Sequence, residues 1–290
     1  MSHPSANRFI ELHSFRRVRT MPGVATQLIL CLLCILLAAC EVPTPQLQDP
    51  TPALLTPITA PPTRGDPNLD SGWQPLFAGA EIRRNLGQAA RLALRLDPAV
   101  VSFDIAFSAN PDQMQTVGAW LNERDALAAI NCGFYLTTDQ NENRHIGLLA
   151  GPEGVLAPLR AGWGGVLLVR GNKASLAAAP GSVSDALRLG LQGWPMLVRG
   201  GQPVSGLNDS DPAARTAAGV DSQGRVIFIA DVTSATLAGF AAFLAASDLG
   251  LVQAVNLDGG SSTGLRYRAA VNAPSSGYDS FFVPCAVVVR

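Results

Sequence analysis

Short apolar runs, separated by Gly, Pro, Asn and Asp, dominate the chain from about residue 90 onward. Several of them alternate apolar and polar positions, as Arg-Leu-Ala-Leu-Arg does at 91–95, which is typical of strands with one buried face. The pattern predicts strands over residues 92–96, 100–106, 126–131, 146–149, 165–170, 196–204, 216–220, 225–232 and 281–289. The strands at 216–220 and 225–232 flank Asp-Ser-Gln-Gly, which predicts a hairpin.

Two stretches show the apolar period of a helix instead. Residues 112–123 place their apolar side chains on one stripe. A second helix is predicted to end at Ala246 and to be capped at its start by Thr233 or Ser234. The chain is therefore predicted to form a single α+β domain, with a mixed, mainly antiparallel sheet core and a few packed helices.

The most informative polar segment is Asn-Leu-Asp-Gly-Gly-Ser-Ser-Thr at 256–263, which follows an apolar run at 249–255. Side chains alternate along a strand, so Asn256 and Asp258 are expected to leave on one face. Two glycines then remove side-chain bulk, and three hydroxyl residues follow. This combination predicts a polar ligand site. The alternative is a tight turn in which Asp258 caps its own loop.

The N-terminal 40 residues have the pattern of an export signal. Arginines at 16–19 precede an apolar stretch at 28–39, which is short for a membrane span. The stretch ends in Leu-Ala-Ala-Cys, which resembles the lipobox of bacterial lipoproteins and implies acylation of Cys40. We therefore predict a lipoprotein signal peptide over 1–40 and a lipid-anchored protein on the extracytoplasmic face of the cell membrane. An ordinary signal peptide with a chance cysteine is the alternative.

Residues 41–74 are rich in Pro, Thr, Gln and Asp and poor in large apolar side chains. Such a segment buries too little surface to offset its ordering entropy, and it favours extended backbone. We predict a disordered tether over 41–74 and a folded domain over 75–290.

Composition excludes several classes of function. The formal net charge of −1 argues against nucleic acid, which needs a basic face. His145 is the only histidine after residue 40, so a His-rich zinc site is excluded. The single lysine, Lys173, disfavours Schiff-base chemistry. No cofactor is predicted, and a divalent cation is left open. Cys31 and Cys34 lie inside the predicted signal peptide. Once Cys40 is acylated, Cys132 and Cys285 remain as an even pair, either in a disulfide or as two buried thiols. We predict the disulfide.

Four stretches in order carry a resemblance to a known family. They are Ala-Ile-Asn-Cys-Gly-Phe-Tyr at 129–135, Gly-Trp-Pro-Met-Leu-Val at 193–198, Ala-Arg-Thr-Ala-Ala-Gly-Val at 214–220 and the loop at 256–262. In this order they resemble the phosphodiester glycosidase family over about residues 75–290. The resemblance implies a hydrolase that cleaves a sugar 1-phosphodiester on a cell-surface or extracellular glycan.

The chemistry of such a cleavage suggests roles at the matching positions. An oxocarbenium-like transition state needs a carboxylate, and the phosphate needs donors. The catalytic candidates are Asp258 as base, nucleophile or charge stabiliser, Asp231 as a second carboxylate and His145 as an acid near neutral pH. The substrate-binding candidates are Asn131, Gly133, Arg215, Thr216, Asn256, Gly259, Gly260, Ser261 and Ser262. Asp139, Glu142 and Asp209 are alternatives for the second carboxylate. Phe134 and Tyr135 are expected in the core or under a sugar ring.

Two other functions compete with this reading. One is a non-catalytic surface lipoprotein that binds glycan or exopolysaccharide through the same loop. The other is a serine hydrolase that uses Ser261 or Ser262 with His145, although the chain lacks the Gly-x-Ser-x-Gly elbow. The expected partners are a carbohydrate phosphodiester and, through the lipid, a membrane, with no nucleic acid. The oligomeric state is not predicted.

Overall fold

The structure is a computed structural model that describes residues 69–183 and 187–290; the predicted signal peptide, Cys40 and the tether up to residue 68 lie outside these residues. The strands are β1 (Gln74–Phe77), β2 (Ala80–Arg84), β3 (Arg91–Leu96), β4 (Phe103–Phe107), β5 (Ala128–Asn131), β6 (Tyr135–Thr137), β7 (Asn143–His145), β8 (Leu149–Gly151), β9 (Gly154–Ala157), β10 (Gly165–Arg170), β11 (Lys173–Ala178), β12 (Leu189–Gly193), β13 (Met196–Arg199), β14 (Gln202–Pro203), β15 (Ala213–Asp221), β16 (Val226–Ala235), β17 (Leu251–Asn256), β18 (Leu265–Tyr267), β19 (Ser276–Tyr278) and β20 (Cys285–Val289). The helices are α1 (Val117–Glu123) and α2 (Leu237–Ala246), and single 3-10 turns lie at Pro111–Gln113 and Gly260–Ser262. Neither helix in this part of the chain is long and apolar enough to cross a membrane.

Antiparallel sheets make up most of the fold. The largest sheet has eight strands in the order β1-β2-β3-β16-β15-β17-β13-β14. Two five-stranded sheets follow the orders β11-β10-β12-β8-β9 and β19-β18-β5-β20-β4, and β6 pairs with β7. Every strand pairing among the described residues is antiparallel. The predicted antiparallel core is present, but with two α-helices in the described part the fold is richer in β-structure than a balanced α+β domain.

Alternation along the central strands divides the core in two. On β3, Leu92 and Leu94 face the main core, together with Phe228 of β16. Ala93 points to the other side of the sheet and packs in a second cluster with Phe240 of α2. Because successive side chains of a strand point to opposite faces, one sheet can bury apolar side chains on both. Polar groups of this sheet are then accommodated at the ends of its strands.

The helix predicted over residues 112–123 is interrupted. A 3-10 turn capped by the Asn110 side chain comes first, and Met114 is then extended at φ −62° and ψ 143°. The α-helix α1 starts again after Thr116, whose hydroxyl accepts a hydrogen bond from an amide in the first turn. Capping side chains satisfy helix-end amides locally, so two caps in close succession produce two short helical segments.

The second helix starts later than predicted. Neither Thr233 nor Ser234 caps it, because β16 continues past a bulge to Ala235, which pairs with Ala213 of β15. Ser234 has a φ of 65°, which does not fit a helix start. The cap is Thr236, whose hydroxyl accepts from the amide of Gly239 at 3.0 Å. Tertiary strand pairing has overridden the local capping signal.

Cys132 and Cys285 form the predicted disulfide, with their Cα atoms 5.5 Å apart. Cys132 directly follows β5, and Cys285 is the first residue of β20, which pairs with β5. The final strand therefore begins at Cys285 and not at residue 281. The bond ties this strand to the end of β5.

The last residues of the predicted tether contact the folded domain. The Asp70 carboxylate accepts from Nε and Nη2 of Arg83 at 2.7 and 2.8 Å, and this pairing lowers the pKa of Asp70 to about 2. The Arg95 guanidinium lies over the Trp73 ring, 4.1 Å from its centroid. The boundary at residue 75 stays a prediction, but packing against the domain extends N-terminal to it.

Candidate functional site

The C-terminal ends of β5 and β17 meet at a narrow crevice, although the two strands belong to different sheets. Tyr135, Asp258, Ser262 and the disulfide line this crevice, together with the backbone at 131–133 and 283–284. Asp258 is the only carboxylate among these lining residues. The loop that the sequence singled out therefore forms a wall of this narrow crevice.

Asp258 is half-buried and anchored through its own loop. Its Oδ1 accepts from the amide of Gly259 at 3.0 Å, and its carboxylate accepts a further hydrogen bond from the Ser262 side chain. Its amide donates to the Cys132 carbonyl at 3.3 Å. Burial raises the pKa of Asp258, because desolvation disfavours the charged form, and the two hydrogen bonds oppose that rise. The result is a fixed, partly desolvated carboxylate.

Asn131 holds the Asp258 loop in place. Its Nδ2 donates to the carbonyl of Asp258 at 2.8 Å and to that of Cys132 at 3.1 Å. Its Oδ1 accepts from the Thr216 hydroxyl at 3.0 Å and from the Gly264 amide at 3.1 Å. The side-chain atoms of Asn131 are thus occupied within the protein, and so is the Thr216 hydroxyl proton. Both predicted substrate contacts lie where they position the loop, while contact with a sugar stays a prediction.

Asn256 differs from Asn131 in having a free acceptor. Its Nδ2 donates to the carbonyl of Trp194 at 2.9 Å. Its Oδ1 is buried and has no hydrogen-bond partner among the described residues. Because buried polar atoms in folded proteins are nearly always paired, this oxygen is suited to a ligand donor.

Tyr135 lines the crevice together with Asp258, whereas the sequence predicted only core packing or a position under a sugar ring. Burial raises the pKa of the Tyr135 phenol, and the negative charge of Asp258 raises it further. The phenol therefore keeps its proton at neutral pH and can donate a hydrogen bond. Its position two residues after Gly133, at the start of a short strand, is the only sequence signal for this role.

His145 is buried on β7, opposite Tyr135 of β6. Its Nδ1 lies 2.9 Å from the carbonyl of Gly147, so Nδ1 carries the proton and Nε2 is an acceptor. Nε2 has no partner among the described residues and points at Gly133, where an added Cβ would approach it to 2.9 Å. Burial lowers the pKa of His145 to about 4. The residue is therefore neutral at pH 7, and the expectation of an imidazolium acid near neutral pH is not met.

The buried imidazole predicts an acid-sensitive fold. The pKa of His145 is 6.5 in the unfolded chain and about 4 in the folded one, so the unfolded state binds more protons between these values. Stability conferred by the neutral ring is complete above pH 6.5 and falls by about 3 kcal/mol on going to pH 4. Urea unfolding at pH 6.5 and at pH 4 measures the free energy of unfolding. Acidification should lower it less in His145→Gln than in wild type. An equal decrease in both proteins would show that His145 does not cause the acid sensitivity.

Asp231 lies outside the crevice and is fully buried. Its Oδ2 accepts from Nε of Arg91 at 2.7 Å, and its Oδ1 accepts from the amide and hydroxyl of Thr233 at 2.8 and 2.5 Å. Both oxygens are therefore engaged in a buried ion pair that links β3 to β16. Asp231 therefore has a structural role, and the geometry does not support its predicted role as a second catalytic carboxylate.

The alternative carboxylates are also occupied or outside the crevice. Asp209 accepts from the hydroxyl of Thr236 at 2.6 Å, at the start of α2. Glu142 is exposed and paired with Arg144 at 3.1 Å. Neither these two nor Asp139 lines the crevice with Asp258.

The Arg215 guanidinium contacts main-chain carbonyls. Its Nε donates to the carbonyl of Ala235 at 2.8 Å and its Nη2 to the carbonyl of Asp211. No carboxylate of the described residues lies within ion-pair distance of it, and burial lowers its pKa. The backbone of Arg215 abuts Gly259, where an added Cβ would lie 3.8 Å from the Arg215 Cα. Phosphate binding by Arg215 stays a prediction.

The loop glycines permit close approach of main chain. A Cβ on Gly133 would lie 2.4 Å from the carbonyl oxygen of Gln192, and a Cβ on Gly259 would lie 2.8 Å from that of Ala214. Gly260 has a φ of 60° and opens a 3-10 turn. The first amides of such a turn, those of Gly260 and Ser261, have no partner inside it and can bind an anion.

The contact between a serine and His145 that a serine hydrolase requires is absent from the described residues. Ser262 hydrogen-bonds to Asp258, and Ser261 is exposed. Nε2 of His145, the atom that would activate a serine, has no partner within the described part of the chain. Nor do three or more His, Cys, Asp or Glu side chains cluster there as a metal site would require.

Comparison with known proteins places this geometry in context. A family model described as phosphodiester glycosidase matches residues 124–290, which is more than half of the chain. No curated protein sequence matches the chain.

Two solved structures are similar to the chain at low sequence identity. The chain is similar to the catalytic domain of zebrafish N-acetylglucosamine-1-phosphodiester alpha-N-acetylglucosaminidase, auto-inhibited by its pro-peptide, with a TM-score of 0.52 and 16% identity over 72% of this chain and 77% of that one. A hypothetical protein from Synechocystis gives a TM-score of 0.43 and 18% identity over 73% and 62% of the two chains. The zebrafish structure shows that the fold of this chain is shared with a domain described as catalytic.

Proposed function

Because the chain belongs to the phosphodiester glycosidase family, we propose that it hydrolyses the glycosidic bond of a sugar 1-phosphodiester on a cell-surface or extracellular glycan. The observation that carries the proposal is the position of Asp258. It is the single carboxylate lining the crevice where β5 and β17 end, and it is partly desolvated.

One carboxylate fits the chemistry of this bond. Breaking the bond between C1 and oxygen passes through an oxocarbenium-like transition state, which a nearby anion stabilises. Partial burial of Asp258 strengthens that interaction, because the surroundings are less polarisable than water. The leaving group is a phosphate monoester, whose second pKa is about 6, so it departs without full protonation. A strong second carboxylic acid is less necessary than in an ordinary glycoside hydrolase.

Two side chains, one in the crevice and one next to its Gly133, supply the remaining proton chemistry in this proposal. The Tyr135 phenol stays protonated at neutral pH and donates a hydrogen bond to the departing phosphate oxygen. The neutral His145 offers the Nε2 lone pair beside Gly133, where it accepts a hydrogen bond from the substrate or from water. Asp258 then acts as the nucleophile or as the anion that stabilises the sugar cation.

The phosphate is assigned to backbone donors in the same loop. The amides of Gly260 and Ser261 open the 3-10 turn that follows Asp258, and oriented amides of this kind bind anions. We assign Arg215 to the same phosphate as a longer-range cation, because its backbone packs against Gly259. The buried Oδ1 of Asn256 accepts from a sugar hydroxyl.

A substrate screen tests the proposed function. The full-length protein is incubated with sugar 1-phosphodiesters and with aryl glycosides of the same sugars, and free reducing sugar and phosphomonoester are measured. Release of both products from a phosphodiester, and not from the matched aryl glycoside, supports the proposal. Saturable binding of these compounds without any turnover would replace it with the non-catalytic glycan-binding function.

We further propose that the protein is held on the extracytoplasmic face of the membrane through a lipid on Cys40. The Leu-Ala-Ala-Cys sequence and the proline-rich segment after it support this location. Multiple acyl chains hold a protein firmly, whereas one chain binds only marginally. Cys40→Ala should move most of the protein from the membrane fraction to the soluble fraction or block its maturation. Unchanged retention in the membrane fraction would contradict the anchor.

A further inference from the structure

Trp194 presents an exposed aromatic ring on a rigid support. The residue is 46% exposed and directly precedes the Pro195 that leads into β13. Its ring is nearly parallel to that of Trp163, at 10° and 6.3 Å between centroids. Phe134 in turn meets Trp163 edge-on at 6.0 Å. A ring braced in this way loses little freedom when a ligand stacks on it, so it makes an effective contact.

A groove of about 290 Å³ runs alongside Trp194. Its other wall consists of small residues, Gly162, Gly164 and Ala178, and a Cβ added to Gly162 would meet nothing within 4 Å. The groove is therefore open on the side of Gly162. Its volume is near the lower end of ligand pockets, which hold about 300–1,000 Å³, and suits a single ring.

The charged groups at the groove are positive. Arg199 lines it, is exposed and makes no side-chain hydrogen bond or ion pair with the described residues. The Arg160 guanidinium lies nearby, 5.2 Å from the centroid of the Trp163 ring. No acidic residue lines the groove. An aromatic face beside an unpaired guanidinium favours a ligand that has both an apolar ring face and a negative charge.

The groove is connected to the reaction site through Asn256. The Trp194 amide donates to the Asn256 carbonyl at 2.9 Å, and Nδ2 of Asn256 donates to the Trp194 carbonyl at 2.9 Å. Asn256 is two residues from Asp258 and carries the unpartnered Oδ1. A sugar ring stacked on Trp194 and a second sugar bound at Asp258 would therefore lie next to each other at the end of β17.

From these observations we infer that the groove is a second carbohydrate subsite, which stacks an acidic sugar ring on Trp194 and pairs its carboxylate or sulfate with Arg199. This inference rests on the proposed function. It assigns the substrate to the class of acidic oligosaccharide or polysaccharide chains and not to isolated monosaccharide phosphodiesters. Arg199 and Trp194 select the chain, and Asp258 carries out the cleavage.

Calorimetric titration with trigalacturonate and with neutral maltotriose tests the subsite without requiring turnover. Wild type should bind trigalacturonate more tightly than maltotriose. Trp194→Ala should weaken binding of trigalacturonate about tenfold or more, and Trp194→Phe should recover part of the loss. Arg199→Gln should weaken trigalacturonate binding several-fold and leave maltotriose unchanged. Arg84→Gln, which removes another exposed arginine, on β2, is the matched control and should change neither.

The experiments distinguish a wrong assignment of the subsite from a wrong assignment of the glycosidase activity. Binding that depends on Trp194 and Arg199, in a protein that hydrolyses nothing in the screen, supports the subsite and contradicts the glycosidase. The opposite result is hydrolysis of a phosphodiester without binding of trigalacturonate, or with binding that is equal in wild type and Trp194→Ala. That result would overturn the subsite and leave the proposed glycosidase activity intact. Circular dichroism of each variant confirms that the fold is retained.

Discussion

Asp258→Asn should lower kcat for a sugar 1-phosphodiester by about 10²–10⁴-fold, while the melting temperature changes little. The substitution keeps the shape of the side chain and its acceptor oxygen toward the Gly259 amide, but removes the charge that stabilises the transition state. A group that acts only in the transition state lowers kcat and kcat/KM together. Steady-state kinetics with a phosphodiester found in the screen measures both constants.

Asp231→Asn provides the comparison for that variant. It makes the same chemical change at a carboxylate that lies outside the crevice and is paired with Arg91. Removing one partner of a buried ion pair leaves the other charge uncompensated, so this variant should lose stability, by about 3–5 kcal/mol, more than turnover per folded molecule. Near-normal activity of Asp258→Asn, or a loss of kcat in folded Asp231→Asn as large as that of Asp258→Asn, would contradict the site assignment.

The Cys132→Ser, Cys285→Ser double variant should have the largest effect on stability. The bond closes a loop between residues 153 positions apart, and chain entropy then gives about 5 kcal/mol in favour of the folded state. For a domain of this size the loss corresponds to a fall of roughly 10–20 °C in melting temperature. Both cysteines are buried, so the lost packing acts in the same direction. Thermal unfolding of the two proteins without reductant measures the difference.

Reduction supplies an independent version of the same comparison. Dithiothreitol should lower the melting temperature of the wild type toward that of the double variant and leave the variant unchanged. Turnover should also fall, because the Cys132 carbonyl accepts the amide of Asp258 and the disulfide lines the crevice. Equal melting temperatures for wild type and double variant would show that the bond does not stabilise the domain.

The sequence predicted those features whose signal is local. The loop at 256–263 combines a strand end, a carboxylate and two glycines, and the structure places it at a crevice. Cysteine parity predicted the disulfide, because only two cysteines remain once Cys40 and the two cysteines of the predicted signal peptide, Cys31 and Cys34, are set aside. The alternation at 91–95 identified β3, whose two faces pack in separate clusters.

The features that sequence reasoning missed depend on partners far away in the chain. In the sequence, Asp231 resembles a catalytic carboxylate at a strand end. In the structure it pairs with Arg91 of β3, which is 140 residues away in the chain. His145 resembles a neutral-pH acid until burial lowers its pKa to about 4. Tyr135 gains its role from burial and from the nearby charge of Asp258. No local pattern encodes such long-range neighbours, so periodicity and motif spacing cannot supply them.

Hydrolysis in water enriched in ¹⁸O tests the central claim most directly, because it identifies the bond that is broken. The full-length protein is incubated with a sugar 1-phosphodiester, and both products are analysed by mass spectrometry, with Asp258→Asn as the control. Attack at the sugar, supported by Asp258, predicts that the label enters the anomeric hydroxyl and that the phosphomonoester stays unlabelled. Label in the phosphate would show cleavage of the phosphorus–oxygen bond and would contradict the glycosidase mechanism.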